Sequence, residues 1–268
     1  MNRKHLSVPY IVWIICGTLI PLGMMFFYGF TAKDGSFTFD NILAIGLPGH
    51  AKALWQSLEL SLISTVICFV LAYPLGLILR SSRLGRKSFT LFVFILPMWM
   101  NFLLRTMAWQ VLLEKGGVIN SILVNLGLNR LRLINTKGAI VMGMVYDFLP
   151  FMIIQIHTAI AKLDPNLLVA AHDLGANKVK SFLKVTLPLS VPGIISGITL
   201  VFLPAVSSFV IPKMLGGGDY VLIGNLIETH MLVIGDWNYG SAISLIMALI
   251  IIAAMWATKK LDRSAQED

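Results

Sequence analysis

The sequence predicts an all-α polytopic membrane protein with six transmembrane helices and both termini on the cytoplasmic side. Three observations carry this. Of the 268 residues 57% are hydrophobic and only 13% charged, against roughly 25% charged in an ordinary globular chain. The apolar residues gather into stretches of about 20, long enough for a helix to cross a hydrocarbon core of about 30 Å. Backbone in lipid must satisfy its own hydrogen bonds, which favours helices, and the alternating ten-residue segments of a membrane barrel are absent.

Six spans follow in order, at about 8–30, 58–79, 89–113, 138–160, 191–211 and 239–257. The first comes after the basic start Met1-Asn-Arg-Lys-His5. Its apolar run exceeds the h-region of a signal peptide and no small-residue cleavage site follows, so it reads as a retained helix. The spans divide the chain into residues 1–57 (first helix and outer loop), a core over 58–261, and a tail over 262–268.

Orientation comes from the loops. With the amino terminus inside, the inner face collects Arg3, Lys4, Arg80, Arg83, Arg86, Lys87, Lys162, Lys178, Lys180, Lys184, Lys259, Lys260 and Arg263. The outer face holds Lys33, Lys52, Lys115, Arg130, Arg132, Lys137 and Lys213. Thirteen against seven places both termini in the cytoplasm. The net charge of +8 also invites a nucleic-acid reading. The basic residues lie between apolar spans and not along one soluble face, so no nucleic acid is expected.

Between the third and fourth spans, Val118, Ile119, Ile122, Leu123 and Leu126 recur at helical spacing, with Asn120, Ser121 and Asn125 opposite. The pattern predicts a short helix lying on the outer surface or capping the bundle. Gly216-Gly-Gly218 lacks the Lys-Ser/Thr and the strand of a phosphate-binding loop and reads as a turn. Cys16 and Cys68 both fall inside spans and make neither a disulfide framework nor a metal spacing. His5, His50, His157, His172 and His230 are scattered and read as surface or packing residues. No metal and no cofactor is expected in this chain.

The segment between the fourth and fifth spans, about 164–188, is the most informative. Asp164-Pro165 opens it as a helix starts, with Asp as N-cap and Pro at the first position. A short helix over 166–174 can end at Gly175, which adopts a left-handed conformation at low cost. A second helix over 178–187 carries Val179, Phe182, Leu183 and Leu187 on one side, and Pro188 and Pro192 mark the return to the membrane. The small pair Ala170 and Ala171 lets a partner surface approach closely.

Within this segment Ala170-Ala171, Gly175 and Val185-Thr-Leu187-Pro188 resemble the signature loop of ABC importer permeases, Glu-Ala-Ala-x3-Gly-x9-Ile-x-Leu-Pro. Val169 stands where the family writes Glu. The resemblance extends over about 58–261. It includes Ser57-Leu-Glu-Leu-Ser61, Tyr73-Pro-Leu-Gly76, Leu96-Pro-Met-Trp-Met-Asn-Phe-Leu-Leu-Arg105 and Gly116-Gly-Val-Ile-Asn120 with Leu126-Gly-Leu128. Met144-Val-Tyr-Asp-Phe-Leu-Pro150, Leu215-Gly-Gly217, Ile223-Gly-Asn-Leu-Ile227 and Asp236-Trp-Asn-Tyr-Gly240 complete it. These stretches are similar to the first permease subunit of spermidine/putrescine importers.

The resemblance implies a type I ABC importer permease fold in a bacterial inner membrane. It makes Ala170, Ala171, Asp173, Gly175, Val185, Leu187 and Pro188 the loop that couples to an ATPase. It also implies a second homologous permease, two ATP-binding subunits and an extracytoplasmic binding protein as partners. The chain has no Walker A sequence, and no HExxH, GxSxG or CxxC, so ATP and magnesium would be bound by the partner ATPase and this subunit would be non-catalytic.

Polar groups inside a membrane are costly and turn inward. Asp147 lies about nine residues into the fourth span, roughly 13 Å from its outer end. Arg105 lies in the outer third of the third span. One reading pairs them across two helices. The other lets Asp147, with Trp99, Asn101 and Tyr146, line a path that attracts a cation by charge and cation–π contact. Glu59 and Glu228 fall at the outer mouth. The rivals are a permease for another small solute such as iron, thiamine or sulfate, an ion-coupled secondary transporter, and a membrane-embedded enzyme.

Overall fold

The computed structural model describes residues 8–81 and 93–267. Among them five helices are long and apolar enough to cross a bilayer: Tyr10–Gly29, Pro48–Arg80, Lys137–Ala161, Lys178–Val206 and Trp237–Leu261. In chain order, α1 runs over 8–29 through a π turn at Ile15–Leu19. The others are α2 (Asp40–Leu43), α3 (Pro48–Ser81), α4 (Phe102–Leu113), α5 (Val118–Asn125), α6 (Lys137–Ala161), α7 (Pro165–Asp173), α8 (Lys178–Val206), α9 (Val210–Leu215), α10 (Ile223–Ile234) and α11 (Trp237–Glu267).

Five of the six expected spans are therefore long helices, and the third is built differently. Residues 89–92 of the expected span lie outside the described residues. The remainder is interrupted: Leu96–Trp99 is a 3₁₀ turn and Met100 is extended. Asn101 then starts α4 afresh, its side chain accepting hydrogen bonds from Leu103 N (2.9 Å) and Leu104 N (3.3 Å). Hydropathy counts 89–113 as one apolar run because a single Asn hardly changes the mean. The N-cap chemistry of that Asn is what divides it.

The fifth span also differs. Pro188 and Pro192 were expected to mark the turn back into the membrane, yet α8 passes through both without ending. A π turn at Phe182–Thr186 precedes Pro188, with Leu187 N bonded to Phe182 O. A π turn shifts the hydrogen-bond register by one residue, and a Pro in the turn that follows needs no N–H partner. The second helix of the loop and the fifth span are thus one helix.

Helix α6 is the centre of the bundle, with α3 and α8 its most extensive neighbours. Its Ile140, Met144, Met152, Ile153, Ile156 and Ile160 are all but fully buried. They recur at three- and four-residue spacings, the stripe expected of a packed helix face. The approach of α8 is close because Gly193 and Gly197 face α6. A Cβ on Gly193 would stand 2.2 Å from Ala159 Cβ and one on Gly197 2.5 Å from Met152 Sδ. Small residues four apart are the standard device for close helix packing in lipid, where the hydrophobic effect gives no drive between helices. Helix α11 packs on α1 and α8, and a second cluster of Ile45, Ile223, Tyr239, Ala242 and Ile243 closes the end of the bundle away from α7.

Gly193→Val should lower the stability of the purified chain by about 1–3 kcal/mol, the ordinary cost of overpacking. Gly17→Val, with no heavy atom within 4 Å of the added Cβ, should leave it within about 0.5 kcal/mol. Thermal midpoints in one detergent compare the two, and equal midpoints would contradict the packing described.

Candidate functional site

The α7–α8 segment stands at one end of the bundle as two short helical arms. Asp164 caps α7, its carboxylate accepting from Asn166 N at 2.9 Å. The helix closes with Gly175 N donating to His172 O and Ala176 N to Ala171 O, both at 2.9 Å, with Gly175 at φ 79°. This is a Schellman closure, which needs a left-handed residue and so favours glycine. His172 Nδ1 lies 2.8 Å from Ala176 O and braces the same turn. Asn177 then caps the start of α8 through Lys180 N at 2.8 Å.

The arms present apolar groups outward. Leu174 is 88% exposed, and Leu167, Val169, Val179 and Leu183 are also exposed. Ala170, Asp173 and Gly175 are exposed and Ala171 half-buried. The side of α8 expected to carry Val179, Phe182, Leu183 and Leu187 together is split. Phe182 and Leu187 pack on the central core, and Phe182 meets Tyr73 edge to face at 5.6 Å. Val185 is half-buried and Pro188 exposed. Tyr73 and Ser190 share a hydrogen bond of 2.8 Å, and Arg80 Nη2 donates to Leu163 O at 3.0 Å. These bonds seat the loop on α3 as well as on α6.

The polar residues of the expected path separate into two groups. Arg105 and Asp147 come together: Arg105 Nη1 lies 3.2 Å from Asp147 Oδ1, with side chains 8% and 3% exposed. The separation is that of an ion pair, but the two groups are not aligned for a hydrogen bond, and Arg105 Nε makes none either. The guanidinium lies 5.9 Å from the Tyr146 ring centroid, and Trp109 meets Tyr146 edge to face at 5.3 Å. Trp99 and Asn101 are elsewhere. Trp99 is on the surface of the 3₁₀ turn, and Asn101 is the cap of α4. Asp147 is about ten residues into α6, roughly 15 Å along it.

The far end of the bundle is laced with ion pairs. Glu59 pairs with Lys137 at 2.8 Å, Glu228 with Lys213 at 2.5 Å, Asp236 with Lys33 at 3.3 Å and Asp219 with Arg132 at 3.6 Å. Burial pushes the Asp236 carboxyl up, but the Tyr239 N–H and the Lys33 ammonium outweigh it and leave it below the ordinary range. The sequence reading placed Glu59 and Glu228 at a mouth and missed their partners, which lie 78 and 15 residues away.

Asn120 was also missed. It was assigned to the polar side of α5, yet it is buried and bonded to the backbone of Glu114 and Leu131. Its amide pins α5 and the following loop together, while Val118, Ile122 and Leu126 face outward. At 216–218 the expected turn is present, with Gly217 and Gly218 at φ 62° and 84°.

With the geometry in place, comparison with known proteins decides the family. Residues 69–267 match the binding-protein-dependent transport system inner membrane component family. The chain belongs to this family. It is 38% identical to the spermidine/putrescine transport system permease protein PotB of Haemophilus influenzae over 99% of this chain and 98% of that one. It is 34% identical to the PotB of Escherichia coli, over 97% and 98%. The fold is that of a chain of a bacterial ABC transporter importing the acidic polysaccharide alginate, with TM-score 0.83 at 19% identity over 97% and 94% of the two chains. A chain of the MetNI methionine ABC transporter gives 0.59 at 17% identity, over 80% and 95%. Membership in this family makes the chain an ABC importer permease subunit of the inner membrane and sets aside the secondary-transporter and enzyme readings.

The Arg105–Asp147 pair gives a direct test. Removing one partner of a buried pair leaves an uncompensated charge and costs about 3–5 kcal/mol. Arg105→Gln and Asp147→Asn should each lower the thermal midpoint, and the double variant should lose less than the two together. Additive losses in this cycle would show that the two side chains do not interact.

Proposed function

We propose that this chain is a membrane-spanning permease subunit of an ATP-driven importer for spermidine and putrescine. The observation that carries the reading is the 38% identity to a PotB over essentially the whole of both chains. The α7–α8 arms are the docking site for an ATPase: Ala170 and Ala171 admit a close partner, and Leu174, Val179 and Leu183 offer apolar surface that the other described residues do not cover. Because α8 is continuous from the loop into the membrane, a push on the arms moves the helix packed on α6.

The complete importer holds a second, homologous permease, two ATP-binding subunits and a binding protein on the far side. ATP and magnesium belong to the ATPases. Both termini and the α7–α8 arms face the cytoplasm, supported by the excess of Lys and Arg at that end. Arg105 and Asp147 serve as a tie between α4 and α6, since an arginine beside Asp147 opposes the passage of a cation.

Two experiments check this. In a bacterium lacking polyamine uptake, the chain with its partner permease, ATPase and binding protein should restore ATP-dependent accumulation of labelled spermidine and putrescine. Accumulation of iron or thiamine instead would move the substrate assignment. In the same cells Gly175→Val, which carries a left-handed penalty of about 1–2 kcal/mol, should reduce uptake and ATPase co-purification, whereas Gly175→Asn should retain most of both. For orientation, Leu174→Cys in a background without Cys16 and Cys68 should resist an impermeant thiol reagent in intact cells, and Ser36→Cys should react. Labelling at Leu174→Cys from outside would invert the topology.

A further inference from the structure

The far end of α1 carries an aromatic cluster that the transport reading does not use. Phe30 and Phe37 stack at 6.0 Å between ring centroids, Phe37 and Phe39 meet edge to face at 5.1 Å, and Phe30 and Phe39 at 5.6 Å. Phe26, one turn earlier on α1, stacks on Phe30 at 6.4 Å. Phe37 is 70% exposed, and Phe26 and Phe39 are more than half exposed. Rings that touch one another while opening outward form a patch of the kind that marks an interaction surface.

The patch is held in place by backbone. Residues 31–37 form a small hairpin, with Thr31 and Phe37 bridged, Ala32 N bonded to Ser36 O at 2.8 Å and Thr38 N to Phe30 O at 2.9 Å. Gly35 turns it at φ 84°. The Asn238 and Asn41 amides donate to the carbonyls of Tyr28, Gly29 and Thr31 and fix the exit of α1. The tip is polar: Lys33 reaches Asp236, and Asp34 accepts from Ser36.

Its depth follows from the length of α1. Tyr10–Gly29 is 20 residues, which at 1.5 Å each is about 30 Å, the thickness of the hydrocarbon core. Phe30 therefore falls where acyl chains give way to headgroups, the level at which amphipathic and aromatic side chains anchor membrane proteins. The rings also continue the exposed apolar surface of α1 without a break, through Phe26 and Phe27.

We propose that the 30–39 hairpin is an interfacial anchor. Phe30, Phe37 and Phe39 seat in the headgroup–acyl boundary of the leaflet opposite the coupling loop, and Lys33, Asp34 and Ser36 face water. The occupant of the patch is phospholipid, by continuity with the lipid-spanning surface of α1. The anchor fixes the depth of α1, whose main packing partner among the described residues is α11. It requires only that α1 spans the bilayer, and so stands or falls apart from the choice of solute.

The test is photocrosslinking of the assembled importer in vesicles of phosphatidylethanolamine and phosphatidylglycerol. A p-benzoylphenylalanine placed at Phe37 or Phe39 should give phospholipid adducts by mass spectrometry severalfold above those at Ser36. Adducts to the second permease or the binding protein, or lipid adducts no more frequent than at Ser36, would overturn the anchor. Should the bulky residue disturb assembly, a nitroxide on Phe39→Cys gives a second reading in the background without Cys16 and Cys68. Collisions with oxygen should exceed those with an aqueous nickel chelate, and the reverse ratio refutes the proposal.

Discussion

The close contact of α6 with α8 at Gly193 and Gly197 is the constraint on which the rest of the bundle depends. In lipid, helices gain nothing by hiding apolar surface from one another, so the backbones must approach until dispersion and shape hold them. Here α8 also runs out into the exposed segment at one end of the bundle, through a π turn and past two prolines, without a break. The glycines that pack the membrane core and the exposed Val179 and Leu183 thus lie on one rigid element. Gly175 and the Asn177 cap are the places where that rigidity is released.

Polar groups inside the bundle obey the same constraint. Ser57, Ser61 and Thr65 turn their hydroxyls onto carbonyls one turn back along α3, the bond available without a partner helix. Ser57 in addition accepts Ile223 N at 2.7 Å and so fastens the start of α10 to α3. Arg105 and Asp147 have no such local solution. Each is neutralised by the other, and the tie joins the interrupted third segment to the central helix, which is where an interrupted segment most needs one.

Much of this was legible in the sequence. Apolar length locates five spanning helices, and the capping residues of α7, from Asp164 to Gly175, locate its ends to within a residue. Depth within the spans offered the Arg105–Asp147 pair as one of two readings, and the 3.2 Å separation favours it. What escaped shares a physical cause: the outcome depended on a contact distant in sequence or on a single polar atom. Asn101 divides an apolar run by capping, Asn120 turns inward because two loop carbonyls await it, and Glu59 meets a lysine 78 residues away. The fate of Pro188 was equally invisible, since it rests on a π turn that no apolar pattern announces.

The ion pairs at the end opposite the α7–α8 arms have a consequence for the field around the molecule. By chain order that end holds the seven basic residues Lys33, Lys52, Lys115, Arg130, Arg132, Lys137 and Lys213. It also holds seven acidic ones, Asp34, Asp40, Glu59, Glu114, Asp219, Glu228 and Asp236. With Arg105 and Asp147 paired within the bundle, these seven and seven leave that end without net charge. A neutral end, screened further within a Debye length of about 8 Å at physiological salt, raises no long-range barrier to a multiply charged cation approaching it.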